Sequence, residues 1–321
     1  MRLLSLHLTL ATLLGLLPST SLGQEPGAAA GQVPATFRVF VLAGQSNMQG
    51  QGVVDLDHAE HYNGGRGILN RVAEEPELAP KLAPLRDKTG AWRTRDDVWC
   101  HYQREGQPAK SGPLGLGFTG YDGQHHFGPE LLLGHLLGEA YDEPVLLVKT
   151  AWGGKSLQVD FRPPSAGGEV GPYYTRMLRE IEEGIAHAQA TWPAFREREP
   201  RVSGFVWFQG WNDMFTEGGE EAYARNLVAL ASDVRAALGA PDLPFVVGET
   251  GNAGSASFRE QQRVGTERIP KPSAFVPTRA FLRPAEESPN TGHGHHWFGN
   301  AASYALIGEA LGLALLELLG A

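Results

Sequence analysis

From Phe37 onward the chain alternates short, almost unbroken apolar runs with longer stretches of helical period. "FRVFVLAG" precedes "FGPELLLGHLLGEAY", "PVLLVKTA" precedes "YYTRMLREIEEGIAHAQATW", and "VSGFVWFQG" precedes "EEAYARNLVALASDVRAALG". "LPFVVGE" and "SAFVPTRAF" then lead to the closing "NAASYALIGEALGLALLELLG". A strand with one wet face alternates apolar and polar residues; these runs do not, so both of their faces must be covered. Repeated strand–helix pairs meet that demand by building a parallel sheet between two helical layers. The expectation is an α/β, three-layer, flavodoxin-like fold with a central five-stranded parallel sheet and helices on both faces.

Residues 1–23 carry one early Arg, a Leu-rich core and a small-residue exit, the form of a secretory signal cut near Gly23. The apolar run from Leu3 to Leu17 is shorter than the ~20 residues of a spanning helix, so no membrane attachment is expected after cleavage. Residues 24–35 lack periodicity and read as a flexible leader, and 36–321 as a single domain, secreted or periplasmic. A net charge of −9 gives nucleic acid no basic face to bind. The single cysteine, Cys100, has no internal partner; burial in the core is its commoner fate. Between the first strand and its helix, residues 51–126 form a stretch far beyond the ~2–6 residues of a βα loop, which reads as an insertion near the strand's exit.

In an open parallel sheet, ligands bind beyond the carboxyl ends of the strands. The first strand ends in "GQSNM" with Ser46, the second in "AWGGKSL" with Gly153 and Gly154, and the third in "FQGWNDM" with Asn212 and Asp213. "GHGHHWFGN" brings His293, His295 and His296 to the start of the last helix, on the same edge. A serine hydroxyl attacks a carbonyl only when an imidazole can take its proton, and the resulting oxyanion needs fixed N–H donors. Taken singly, each motif has a plainer reading as a cap, a turn or surface packing. Their order and shared edge point to acyl transfer.

The blocks "GQSNM", "GGKSL", "QGWND" and "HWFGNAASYALIG" together resemble the SGNH (GDSL-like) hydrolase superfamily, in its sialate O-acetylesterase-like group related to the sixth carbohydrate esterase family. The resemblance runs from Phe37 to the C-terminus. It implies Ser46 as nucleophile, His296 as base with His295 as runner-up, and an oxyanion hole from the Ser46 amide, Gly154 and Asn212. It also implies an acetylated carbohydrate as substrate partner; no cofactor is expected, and no metal, since no HExxH appears. Two positions depart from the superfamily pattern: His293 stands where an Asp three residues before the base is usual, and Gln45 where many members have Asp. The acid would then come from Glu249, Glu286, Glu287 or Asp213, or be replaced by a backbone carbonyl.

Trp92, Trp99, Tyr102 and Tyr121 in the insertion suit sugar rings or loop packing alike. "HHFGPE" (His125 to Glu130) reads equally as structure or function. Two other classes compete with the esterase: a carbohydrate-binding protein that keeps the fold without turnover, motivated by the missing Asp, and a metal hydrolase using "HGHH" with His125 and His126. The apolar closing helix reads as a core helix or partner surface in preference to a membrane segment.

Overall fold

In a computed structural model of the chain, residues 35–250 and 255–321 are described. The stretch read as a signal, and all but the last residue of the leader, lie outside them. The strands are β1 (Thr36–Gly44), β2 (Gly52–Val53), β3 (Val98–Tyr102), β4 (Lys110–Pro113), β5 (His126–Phe127), β6 (Val145–Ala151), β7 (Glu199–Phe208), β8 (Phe245–Gly248) and β9 (Ser273–Val276). The helices are α1 (Ser46–Gln49), α2 (Leu69–Val72), α3 (Ala79–Leu82), α4 (Glu130–Ala140), α5 (Pro172–Thr191), α6 (Gly219–Ala237), α7 (Ala256–Arg268) and α8 (Ala301–Leu319).

The main sheet has seven strands in the order β4-β3-β6-β1-β7-β8-β9, which corrects the expected five. The additional pair comes from the insertion: β3 runs parallel to β6, and β4 closes the edge antiparallel to β3. β3 escapes a reading by apolar runs because "VWCHY" places a histidine inside a buried strand. α7 escapes for the opposite reason, its Arg-, Gln- and Glu-rich sequence burying few side chains, Phe258 among them. The five expected strands keep the order second, first, third, fourth, fifth, so the chain reverses direction across the sheet between β1 and β7. That reversal opens a crevice at the carboxyl ends of these two strands.

Side chains of β1 alternate between two cores, as the period of two requires. Phe40 and Leu42 join Leu133 and Leu137 of α4 and Ile307 and Leu311 of α8. Phe37, Val39 and Val41 meet Ile181 of α5, Leu227 of α6 and Phe258 of α7 on the other face. Both layers are apolar because both are covered. Truncating any one of these buried leucines or isoleucines to Ala costs about 2–5 kcal/mol. α8 is long and apolar enough to cross a membrane, yet Tyr304, Ile307, Leu311 and Leu315 are spent on the sheet-facing core. Cys100 is fully buried in β3, and burial pushes its thiol far up, so it is no thiolate nucleophile.

Among the described residues, one ion pair is entirely inside. Lys149 of β6 and Glu130 at the start of α4 meet at 2.7 Å with both side chains fully buried. Lys149 also donates to the carbonyls of Gln49 and Phe118, each at 2.8 Å, while Glu130 accepts the Gly128 N–H at 2.9 Å. These bonds satisfy the charges and tie the end of α1 to the insertion. "HHFGPE" is thereby accounted for as structure: His126 pairs in β5 with Val53 of β2, and Glu130 anchors α4.

Candidate active site

β1 ends at Gly44, where φ is +156° and a Cβ would stand 2.2 Å from the Phe208 carbonyl oxygen. Only glycine lets the first and third strand exits come this close. Gln45 is extended, and Ser46 opens α1 half-buried in the crevice. Its Oγ lies 2.9 Å from His296 Nε2, across 250 positions of sequence.

His296 sits in a 3₁₀ stretch, Gly294–Gly299, in which Trp297 and Phe298 both hold φ of +54°. Two successive non-glycine residues in the left-handed region are a strained turn, held here by the fully buried Trp297. Burial above all, then the charges of His295 and His293, push the His296 imidazole down to about 3. It is neutral at neutral pH and can accept a proton.

Three amide side chains tie the strand exits to one another and, through Asn47, to this turn. Gln45, nearly fully buried, donates to Asn212 Oδ1 at 3.0 Å and accepts the Gly210 N–H at 2.9 Å. With Oδ1 so engaged, Asn212 presents Nδ2 as its donor end. Asn47 donates to the His295 carbonyl at 3.0 Å and accepts the Tyr304 hydroxyl at 2.8 Å, fixing the histidine loop. Gln209 donates to the Lys155 carbonyl at 2.9 Å and to Asp213 at 2.6 Å. Asp213 takes the N–H groups of Leu157 and Gln158 as well, each at 2.8 Å, which binds the second exit to the third. Desolvation nevertheless pushes its carboxyl up to about 6. At the second exit, a Cβ on Gly153 would lie 3.9 Å from Ser46 Cβ, while Gly154, with φ of +72°, faces open space.

The structure thus brings Ser46, His296, Asn212 and the Gly153–Gly154 turn together, and leaves the expected acids elsewhere. Asp213 is occupied by three N–H donors. Glu249 accepts the N–H groups of Thr278 and Arg279 and faces Arg259. Glu286 and Glu287 offer backbone carbonyls to Asn63 and Asn300. Among the described residues no carboxylate bonds to the His296 ring. Its flanks are rings: His295 at 4.0 Å and His293 at 6.2 Å between centroids. His293, at the usual Asp position, contributes its carbonyl, which accepts the N–H groups of His296 and Phe298.

The expected sugar-facing aromatics mostly serve packing. Tyr102 is buried and bonded to Gln49, Trp99 packs on Trp192 and Phe195, and Trp92 bonds to Asn70 beneath Arg86. Tyr121 is the exposed one; its hydroxyl donates to Gln51, which donates to the Ser46 carbonyl. Nor do the histidines of "HGHH" gather with His125 and His126: His125 bonds to Asp55, and His126 stacks on Tyr121. Among the described residues, the grouping with metal-ligand spacing is His58, Glu60 and His61, all exposed. The tethering roles of Gln45, Asn47 and Gln209 were missed from sequence; their only signal is an amide beside each key residue.

Residues 36–311 match the family model described as carbohydrate esterase, sialic acid-specific acetylesterase. A probable carbohydrate esterase of Arabidopsis thaliana is 26% identical over 210 residues, 65% of this chain and 67% of that protein. The solved structure of that plant protein shares the fold with a TM-score of 0.57 at 17% identity, over 88% of this chain and 98% of its own. NanS aligns with a TM-score of 0.54 at 15% identity, over 90% of this chain and 99% of its own. XAC1771, a carbohydrate acetylesterase from Xanthomonas citri, aligns at 0.51 and 17% identity, over 88% of this chain and 56% of its own. With the match spanning nearly all of the described chain, the protein belongs to the carbohydrate esterase, sialic acid-specific acetylesterase family, a family of carboxylic ester hydrolases.

Proposed function

We propose that the protein is a secreted serine esterase that removes O-acetyl groups from carbohydrates, using Ser46 and His296. The observation that carries this reading is the 2.9 Å contact between Ser46 Oγ and a neutral His296 Nε2 in the crevice beyond β1 and β7. Ser46 Oγ attacks the acetyl carbonyl as His296 takes its proton, and the tetrahedral oxyanion is held by the amides of Ser46 and Gly154 and by Asn212 Nδ2. Collapse expels the sugar hydroxyl, which receives the proton from His296. Water then repeats the sequence on the acetyl-serine, releasing acetate and restoring both side chains. The imidazole is oriented by the histidine loop and its ring neighbours in place of a carboxylate. Export, to the medium or a periplasm, rests on the signal-like residues 1–23.

That no carboxylate among the described residues bonds to the His296 ring favours one rival, a carbohydrate-binding protein that has lost turnover. Acetate release from O-acetylated sugars and from p-nitrophenyl acetate separates the two. The esterase releases acetate, loses the activity on Ser46→Ala, and is labelled by a fluorophosphonate at Ser46 by mass spectrometry. Equal rates in wild type and variant, or a label on another residue, overturn the catalytic assignment.

A further inference from the structure

Phe215 is 72% exposed, an unusual position for a phenyl ring that contributes nothing to either core. A single exposed apolar residue needs no explanation, but this ring is not alone. Its centroid lies 5.3 Å from Trp211, one turn earlier in the same 3₁₀ segment. Trp211 in turn stacks at 5.3 Å and 30° on His295, which lies 4.0 Å from the His296 ring. A row of four rings therefore runs from the imidazole that faces Ser46 out to solvent.

The row stands on a fixed base. Trp211–Phe215 is the segment whose Asp213 is buried under three N–H donors, and the Thr216 hydroxyl donates back to the Asn212 carbonyl at 2.8 Å. A rigid aromatic surface loses little freedom when a ligand covers it. Pyranose rings present a C–H face that packs on aromatic carbon and a polar edge that needs hydrogen-bonding groups alongside. Half-buried His295 supplies such a group, burial lowering its imidazole.

We infer that Trp211 and Phe215 form the subsite that holds the sugar ring of an acetylated carbohydrate while its acetyl group reaches Ser46. This deepens the esterase reading and rests on it for the turnover arm of the test. Kinetics of the full chain are compared on O-acetylated N-acetylneuraminic acid, acetylated methyl glucoside and p-nitrophenyl acetate, whose acyl group is the same but which has no sugar ring.

In Phe215→Ala, kcat/KM for at least one acetylated sugar falls about tenfold relative to that for p-nitrophenyl acetate, chiefly through KM, and Phe215→Trp restores it. An equal loss on the sugar and phenyl esters, or no rescue by Trp, overturns the subsite. Should wild type turn over none of them, the esterase reading falls separately. The subsite is then decided by saturation-transfer NMR with unacetylated methyl glucoside and N-acetylneuraminic acid. Transfer to ring protons that is lost in Phe215→Ala supports it; transfer absent from wild type, or equal in both, overturns it.

Discussion

Gln45 hands a side-chain N–H to Asn212 Oδ1 at 3.0 Å, and so decides which end of the Asn212 amide faces the crevice. Substituting Gln45→Leu frees that amide to rotate, and kcat is expected to fall about 10–100-fold with little change in KM. Gln45→Glu is the more telling variant. A carboxylate still accepts the Gly210 N–H but cannot donate, so it draws Asn212 Nδ2 towards itself and away from the oxyanion. The expected loss approaches the ~10²–10³ of a deleted oxyanion donor, read from steady-state kcat.

Asn47 plays the matching part for the histidine loop. In Asn47→Ala the His295 carbonyl and the Tyr304 hydroxyl each lose a partner in a buried place. Stability should drop by about 1–3 kcal/mol, with kcat reduced as His296 loses its position. Tyr304→Phe removes the hydroxyl but keeps the Asn47–His295 bond, and should cost less in kcat. Urea denaturation beside initial rates makes the comparison.

Four histidines govern the response to acid. Burial lowers His101, His126 and His135 to about 4 and His296 to about 3. Each stays neutral in the fold while the unfolded chain protonates below about 6.5, so stability falls as pH drops from there towards 4. Asp213, raised to about 6, works the other way between 6 and 3.8. The urea midpoint is expected to decline over that window. Neither ring nitrogen of His135 has a partner, so His135→Leu should flatten the decline. By contrast kcat/KM, which reports the free enzyme's base, should hold from pH 8 to near 4.

The Lys149–Glu130 pair yields a double-mutant cycle. Lys149→Met alone strands a buried carboxylate, and Glu130→Leu alone a buried ammonium, each costing about 3–5 kcal/mol. The double variant should cost clearly less than the sum of the two, as measured by denaturant unfolding.

What could be read in the sequence follows from which interactions are local in the chain. β1, β6 and β7 are visible because burial on both faces leaves almost unbroken apolar runs, and α5, α6 and α8 because their apolar residues recur at helical spacing. β3 and α7 carry polar residues that only their neighbours make acceptable. At the crevice, Ser46, Asn212 and His296 are legible from motif chemistry, since hydroxyl, amide and imidazole have few equivalents. Their tethers are not. Gln45, Asn47 and Gln209 act through partners up to 257 positions away, and an amide near a turn looks like any surface polar residue. The outer rings, Trp211 and Phe215, were equally hidden, because exposure cannot be told from a residue's name.

β3 lies along β6 and β4 along β3, so the stretch that interrupts the first crossover also finishes one side of the sheet. Trimming it to a short connection would leave the amides and carbonyls of a central strand as an open template for another chain. Shortened variants should therefore self-associate, and the fold has come to depend on a segment that looks dispensable.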